Sequence, residues 1–322
     1  MTKAVAVSKS ANSRIKYIPA LDGLRGLAIL SVLVYHLPTP WLEGGFIGVD
    51  IFFVLSGFLI TSLLVSEFDR CGSVSLRNFY IRRALRLGPA LIVLLMSYCL
   101  ISFFFCSSQQ AERNYIDALI ALTYMSNWAR AFLIHSPTLL GHTWSLSIEE
   151  QFYIIWPVIL LLLLRFAKRQ QVVVAALALA ALSFGLRVYL LAHGASLARL
   201  GNGLDTRLDG LMLGSALGVA WVSGMLAPYE SKLSRMLVLM TPLALMYLMF
   251  LLVTTTTLSP WMYQYGYLMV ELLTIILILD VLMSPESWFK AVLETRVLVW
   301  FGMISYSLYL WHYPIYRWLP AF

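Results

Sequence analysis

The sequence predicts an all-α membrane protein: a polytopic bundle of about nine spanning helices with one further re-entrant or interfacial helix. Three observations support this fold class. Of the 322 residues, 60% are hydrophobic and 12% are charged, and the mean hydropathy is +0.80. Long apolar runs recur along the chain, each near the ~20 residues that a spanning helix needs. The basic residues lie in the short segments between the runs, as in multi-pass membrane proteins.

The apolar runs define the expected helices in order. They fall at 18–37, 46–66, 87–106, 148–165, 172–192, 208–226, 236–255, 263–283 and 297–318. A tenth stretch, Tyr115–Met125, is too short to span, and Asn127 and Arg130 follow it directly. We therefore expect residues 115–135 to form the re-entrant or interfacial helix.

The distribution of basic residues predicts the orientation of the bundle. Residues 1–16 form a basic tail, and residues 17–322 form the membrane domain. If residues 115–135 do not span, 16 of the 23 Lys and Arg residues lie on the side of this tail, and the positive-inside rule makes that side cytoplasmic. The net charge of +7 is then topological, so we expect no nucleic-acid partner. The three cysteines have no metal-ligand spacing, so we expect no metal site.

Two ionisable residues occupy the first run. Arg25 and His36 are eleven positions apart, which at ~100° per residue is about 20° past three full turns, so they share one helical face. The rise between them is ~16 Å. Ionisable side chains inside a bilayer are costly and usually functional. The run therefore predicts a cation near one membrane surface and an imidazole well toward the other.

Asp50 is the predicted partner of His36. The segment between the first two runs is short, so the two helices should be antiparallel neighbours, with Asp50 at a depth similar to that of His36. A carboxylate on one imidazole nitrogen makes the other a better base. We favour a catalytic His36 oriented by Asp50. The alternative is a buried polar pair whose members only satisfy each other.

A group of arginines enters the third run. Arg82, Arg83 and Arg86 are placed so that Arg86 lies one turn from each of the other two. Guanidinium groups on one helical face suit phosphates, which they bind bidentately. An anchor for lipid head groups explains them equally well.

The segment that opens the fourth helix contains Trp144 and Glu149, and Glu149 shares a helical face with Tyr153. A carboxylate at membrane depth needs a cation or a proton. Depth favours His36 or Arg130 as the partner of Glu149, because the Arg82–Arg86 group lies at the opposite surface. A structural ion pair is an equal alternative to a catalytic role.

Two further positions are weaker candidates. Asp209, with Asp205 and Arg207, precedes the sixth helix and either orients a polar acceptor or is ordinary helix-end charge, which we favour slightly. His312 lies among tyrosines and tryptophans in the last run. It is either a site residue or a polar group near the outer end of its helix, and the second interpretation is favoured.

Five motifs in register resemble the acyltransferase-3 family of integral membrane O-acyltransferases, which modify bacterial surface glycans. Arg25 and His36 match the family's Arg and His separated by ten residues, and Arg83-Ala-Leu-Arg86 matches its Arg-x-x-Arg motif. The segments 48–58, 144–157 and 305–314 resemble its other signatures. The resemblance covers residues 17–318.

The resemblance implies a multi-pass O-acyltransferase of the bacterial inner membrane, with acyl-CoA, usually acetyl-CoA, as a cytoplasmic co-substrate and no permanently bound cofactor. The implied acceptor is a sugar hydroxyl of a surface or lipid-linked glycan, such as lipopolysaccharide O-antigen, and membrane lipid is a further partner. The expected catalytic residues are His36, Asp50 and Glu149. The residues expected to bind the donor are Arg25, Arg82, Arg83 and Arg86. The residues expected to bind the acceptor are Trp144, Tyr153, Asp209 and His312.

Two further expectations complete the sequence analysis. The family has a helix after the motif that holds His312, and no apolar run follows residue 318, so we expect that helix to be missing. The rival function is a proton-coupled transporter or flippase, with His36, Asp50 and Glu149 as a proton relay. Transporters usually contain paired, interrupted repeats, and none is evident here. A non-catalytic scaffold is the third interpretation.

Overall fold

A computed structural model describes residues 17–37, 40–135 and 137–318. Within these residues the chain forms α-helices and short helical turns, and no β-strand, which confirms the predicted fold class. The α-helices are α1 Pro19–His36, α2 Gly48–Cys71, α3 Leu76–Phe105, α4 Ser108–Leu122, α5 Ser126–Ala131, α6 Trp144–Phe166, α7 Arg169–Ala192, α8 Leu197–Asn202, α9 Leu204–Val222, α10 Glu230–Thr254, α11 Tyr267–Met283, α12 Trp288–Leu293, α13 Arg296–Met303 and α14 Ser305–Trp318.

Six helices of the described chain are long and apolar enough to cross a membrane. Together with adjoining helical turns they cover Leu42–Cys71, Leu76–Phe105, Gly141–Phe166, Arg169–Ala192, Ala227–Thr254 and Met262–Met283. The first and sixth predicted runs form α1 and α9, which are shorter and carry several charged residues. The number of nine spans therefore stays a prediction.

The last predicted run is divided in the structure. Helix α13 ends at Met303, Ile304 forms a turn, and α14 begins at Ser305. Residues 115–135 are also divided, because Tyr124 and Leu133 adopt positive φ angles of 54° and 55° after α4 and α5. These breaks produce short helices beside the long ones.

The segment after α5 is fixed to α4 by a buried carboxylate. One oxygen of Asp117 contacts Nε2 of His135, and the other accepts a hydrogen bond from the backbone N–H of Thr138 at 3.0 Å. Because Asp117 is buried, these contacts hold the approach to α6 in one position.

Helices α2 and α9 pack backbone against backbone. A Cβ atom on Gly57 would lie 2.0 Å from the carbonyl oxygen of Leu211, and one on Gly214 would lie 2.0 Å from that of Val54. Only glycine allows this approach, which is a common way for membrane helices to associate. The contact brings the start of α2 beside the start of α9.

The apolar core has two parts. One lies between α2, α3, α6, α7 and α9, and the other between α1, α2, α10 and α11. In the first part, Trp156 donates its indole N–H to Oγ1 of Thr61 at 2.8 Å, so a large buried side chain has its polar atom satisfied. A large cavity opens between α1, α2, α3, α6 and α14.

Candidate active site

The cavity has a volume of about 560 Å³ and contains most of the charged residues that the sequence singles out. Arg25 on α1 and Arg83 and Arg86 on α3 line it, together with Glu149 and Glu150 on α6. Its other walls are largely apolar side chains of α2. With Asp22, which also lines the cavity, three guanidinium groups and three carboxylates share one pocket inside an otherwise apolar bundle.

Arg25 is held at the wall of the cavity by two neighbours. Its Nη2 donates to Oγ of Ser305 at 3.0 Å, and its Nη1 lies 3.5 Å from Oδ1 of Asp22. Because Ser305 is the first residue of α14, this contact ties the two segments that carry the first and last sequence motifs.

Arg83 lies flat against an aromatic ring. Its guanidinium carbon is 3.7 Å from the centre of the Tyr153 ring, within the range of a cation–π contact. The Nε atom of Arg83 is buried without a hydrogen-bond partner among the described residues. Arg83 thus keeps hydrogen-bonding capacity available inside the cavity, next to Arg86.

Arg82 points elsewhere. Its side chain is 58% exposed, lies 3.7 Å from Oε2 of Glu67, and does not line the cavity. The Arg-x-x-Arg pair, Arg83 and Arg86, is therefore separated from Arg82. The reason is helical geometry: adjacent residues on a helix differ by ~100° in direction.

The neighbours of Glu149 differ from those that its expected depth in the membrane predicts. Its Oε1 accepts a hydrogen bond from Ser56 at 2.5 Å, and the nearest positive charges are Arg83 and Arg25, in place of the expected His36 or Arg130. The depth argument failed because α3 begins at Leu76, so Arg83 and Arg86 lie ~10–15 Å inside the helix instead of at its end.

Tyr124 contributes a further donor at the edge of the cavity, from the turn between α4 and α5. Burial, reinforced by the charge of Glu150, raises the pKa of Tyr124 to about 12. The phenol is therefore protonated near neutral pH and available as a hydrogen-bond donor.

A second group, of three histidines, lies behind one wall of the cavity. Nδ1 of His36 is 3.2 Å from Nε2 of His312, and the rings of His142 and His312 are 5.5 Å apart. The described residues contain no group of His, Cys, Asp and Glu side chains arranged to hold a metal ion. Each of the three histidines has a ring nitrogen within hydrogen-bond distance of a backbone carbonyl oxygen.

The hydrogen bonds of His36 define its tautomer. Nδ1 of His36 lies 2.9 Å from the carbonyl oxygen of Val32, and a carbonyl oxygen can only accept, so Nδ1 carries the hydrogen in the neutral ring. The same argument gives His312 a hydrogen on Nδ1, which lies 2.8 Å from the carbonyl oxygen of Tyr309. Nε2 of His36 is then left with its lone pair, as a general base requires.

The expected pairing of Asp50 with His36 is not formed. Asp50 is fully buried, and its Oδ1 lies 2.5 Å from Nη2 of Arg207. The backbone carbonyl of Val32 takes the orienting place that we expected of Asp50. The glycine contact between α2 and α9 explains the difference, because it sets Arg207 beside the start of α2.

Asp209 and Trp144 belong to the same buried network as Asp50. Nη1 of Arg187 lies 2.6 Å from Oδ2 of Asp209 with both side chains fully buried, and the ring of Trp144 is 5.9 Å from the guanidinium of Arg207. Neither Asp209 nor Trp144 lines the cavity. The network joins α2, α7 and α9, so the structure places these two acceptor candidates in the interior of the bundle.

Tyr309 separates the cavity from the histidines. Its hydroxyl lies 2.5 Å from Oγ of Ser145, which also lines the cavity, and donates to the carbonyl oxygen of His142 at 2.9 Å. The ring of Tyr309 is 5.5 Å from that of His312. Tyr309 thus contacts both the cavity that contains the arginines and the group of histidines.

The sequence analysis missed several of these residues. His142 precedes the fourth run and has no partner nearby in sequence, although its position just before Thr143 and Trp144 was a signal. Tyr309 and Ser145 lie within the segments 305–314 and 144–157, whose resemblance to family signatures was a signal for both. Nothing in the sequence distinguished either residue from its neighbours in those segments, and a lone serine near a helix start is ordinary capping sequence.

The fold and the site together define a polytopic helical membrane protein whose cavity is lined by arginines and carboxylates and backed by histidines. The sequence profile of a family described as an acyltransferase domain matches residues 18–320. The chain therefore belongs to the acyltransferase-3 family.

The chain is similar to several curated proteins of that family. It is 38% identical over 317 residues to a putative O-acetyltransferase of Staphylococcus aureus strain COL, covering 96% of this chain and 52% of the relative. It is 38% identical over 312 residues to the peptidoglycan O-acetyltransferase OatA of Listeria monocytogenes, covering 93% and 49%. It is 39% identical over 313 residues to the putative peptidoglycan O-acetyltransferase YrhL of Bacillus subtilis, again covering 93% and 49%.

The chain spans about half the length of these curated relatives. No solved structure matches it.

Proposed function

We propose that this protein is a membrane O-acyltransferase that moves an acyl group, in the first instance acetyl, from acyl-CoA to a sugar hydroxyl of a surface or lipid-linked glycan. The observation that carries the proposal is the meeting, at Tyr309, of a cavity with three arginines and a histidine group with an available Nε2. The names of the relatives, all O-acetyltransferases, support the same chemistry.

The arginines are the proposed binding site of the donor. CoA carries phosphate groups, and guanidinium groups bind phosphate with strong, charge-assisted hydrogen bonds. Arg83 and Arg86 face the cavity from α3, and Arg25 faces them from α1. The buried unpartnered Nε of Arg83 is a hydrogen-bond donor that a phosphate or a thioester carbonyl oxygen would satisfy.

His36 is the proposed general base. Its Nε2 takes the proton of the sugar hydroxyl while the hydroxyl oxygen bonds to the acyl carbon and the C–S bond of the thioester breaks. The proton then passes to the CoA thiolate, so the products are the O-acyl sugar and free CoA. General-base assistance of this kind contributes ~10²–10⁴-fold.

Peptidoglycan is the first acceptor to test, ahead of lipopolysaccharide O-antigen. Two of the relatives carry peptidoglycan in their names. The half-buried His36 lies at the end of α1 away from Arg25. By the positive-inside rule that end faces outward, where a surface glycan is found.

The test is a thiol-release assay with the purified protein in lipid vesicles. Acetyl-CoA and a soluble peptidoglycan fragment are supplied, and mass spectrometry measures acetylation of the fragment. We expect acceptor-dependent release of CoA, and its loss, by ~10²–10⁴-fold, in His36→Ala. Acetyl transfer that persists in His36→Ala at the wild-type rate would remove His36 from the mechanism.

The rival function is a proton-coupled transporter, and one observation favours it. Both carboxylate oxygens of the buried Glu271 have no hydrogen-bond partner among the described residues, next to a network that joins α2, α7 and α9. Buried carboxylates of this kind occur in proton relays. The same assay decides: a transporter gives proton-driven uptake and no acceptor-dependent free CoA.

A further inference from the structure

A groove at the surface of the bundle adjoins the main cavity. It is a groove of about 290 Å³ between α3 and α6, closed on one side by Leu122 and Tyr124. The groove and the main cavity share Arg83, Glu150 and Tyr153 as wall residues. The two spaces therefore adjoin each other around the arginine that we place on the donor.

The groove is polar at its inner end and apolar beyond it. Arg83 and Glu150 provide the charges at the inner end. The phenol of Tyr80 donates to the carbonyl oxygen of Ile154 at 2.8 Å, so that polar group is already satisfied. Tyr124 and Tyr153 line the end that is shared with the main cavity, and the rest of the wall consists of alkyl side chains and Gly88. A sugar would lose its hydrogen bonds in such a space, whereas an alkyl chain would not.

The outer end of the groove lies on the surface of the bundle. Ile92, Leu122 and Ile154 are each about half exposed there, with exposed fractions of 50%, 49% and 58%. Helices α3 and α6 are both long and apolar enough to cross a membrane. The groove thus opens sideways into the bilayer.

We propose that this groove is the binding site for the alkyl tail of the donor, so that the protein accepts acyl-CoA with chains longer than acetyl. The inference rests on the proposed function. The thioester lies in the main cavity, and the tail leaves sideways past Arg83 and Tyr153 toward Ile92. The transfer reaction is unchanged: the sugar oxygen bonds to the acyl carbon, the C–S bond breaks, and the proton passes through His36 to the CoA thiolate.

Each methylene that enters the groove should increase the affinity for the donor roughly fourfold, because burying a CH₂ group has a known transfer free energy. A larger side chain in the wall of the groove would leave less space for the alkyl tail and would therefore test this. A Cβ atom on Gly88 would meet no other atom within 4 Å, so a side chain there points into open space. Ala84 lies one turn earlier on the same face and also lines the groove.

The experiment measures kcat/KM for acetyl-, butyryl-, hexanoyl- and octanoyl-CoA in the thiol-release assay, with acyl transfer checked by mass spectrometry. The test variants are Gly88→Leu and Ala84→Leu. Because Gly88 precedes Pro89, its replacement carries some backbone strain, and Ala84→Leu avoids this. The matched controls are Gly185→Leu and Ala181→Leu on α7, both exposed and away from the groove, Gly185 also having open space.

The expected result is that wild type uses hexanoyl-CoA at least as well as acetyl-CoA. The hexanoyl-to-acetyl ratio should fall by roughly 15-fold in the two α3 variants, as two methylenes leave the groove, and stay at the wild-type value in the controls. A wild type that uses acetyl-CoA alone, or unchanged ratios in both α3 variants, overturns the proposal and leaves the proposed function standing. No transfer from any acyl-CoA overturns both.

Discussion

Nδ1 of His36 lies 3.2 Å from Nε2 of His312, which joins the first helix of the bundle to the last described one. The two residues are 276 positions apart in sequence. The hydrogen on Nδ1 of His36 is shared between the imidazole of His312 and the carbonyl oxygen of Val32. We therefore expect His312 to act on the proposed reaction through His36, as a positioning residue.

Replacing His312 tests this relationship. In His312→Ala, His36 loses one hydrogen-bond partner and keeps the carbonyl oxygen of Val32, so kcat should fall by ~2–10-fold, the value of one hydrogen bond. The KM for acetyl-CoA should not change, because His312 does not line the cavity. The pH–rate profile should shift in the same variant, because the imidazole that titrates has lost a neighbour. A changed KM with an unchanged profile would contradict a positioning role.

The neighbours Arg82 and Arg83 should differ sharply in their effect on the donor. Arg83→Ala removes a guanidinium from the cavity and should raise the KM for acetyl-CoA by ~10–100-fold, as expected for a charged hydrogen bond. Arg82→Ala, whose side chain is exposed and faces Glu67, should change KM by less than about threefold, as for an exposed ion pair. The thiol-release assay measures the KM for acetyl-CoA of both variants. Equal effects of the two changes would point to an anchor for lipid head groups.

The aromatic ring of Tyr153 should contribute more to binding of acetyl-CoA than its hydroxyl group does. Tyr153→Phe keeps the aromatic face on which the Arg83 guanidinium rests, so the KM for acetyl-CoA should stay close to the wild-type value. Tyr153→Ala removes that face and should raise KM by ~2–30-fold, the range of a partly desolvated cation–π contact. Tyr153→Phe is thus the control for Tyr153→Ala. A large effect of Tyr153→Phe would instead assign the role to the hydroxyl.

The sequence was sufficient for the fold class and for what lies within one helix. Apolar runs predict the long helices, and helical periodicity places Arg25 and His36 on one face of α1, where the structure has Arg25 at the cavity and His36 at the histidines. Periodicity within a run does not predict the break at Ile304, since apolar residues recur on both sides of it, such as Met303 before and Leu308 after.

Contacts between distant helices could not be predicted from the sequence. The partner of Asp50 is 157 residues away, at Arg207, and was decided by the backbone contact between α2 and α9. Depth alone suggested His36 for Asp50 and either His36 or Arg130 for Glu149. Depth gives one coordinate of three, so residues at equal depth can face different neighbours. His142 was missed for the same reason, since its neighbours come from α1 and α14.

The buried network predicts opposite outcomes for two of its carboxylates. Three carboxylates, those of Asp50, Asp209 and Glu271, lie among two guanidinium groups, those of Arg187 and Arg207. Asp50→Asn removes the ionic partner of the buried Arg207 and should lower the free energy of unfolding by ~3–5 kcal/mol. Glu271→Gln should be tolerated, because the described residues donate no hydrogen bond to either oxygen.

Thermal unfolding in detergent measures both changes, and thiol release per folded molecule separates stability from catalysis. Asp50→Asn should lose stability while the folded fraction keeps its turnover, because Arg207 and Asp50 lie outside the cavity. If Asp50→Asn instead unfolds like wild type and loses its turnover, Asp50 returns to the catalytic role that its sequence position suggests. A proton relay through Glu271 would show itself as lost function in Glu271→Gln, with unfolding unchanged.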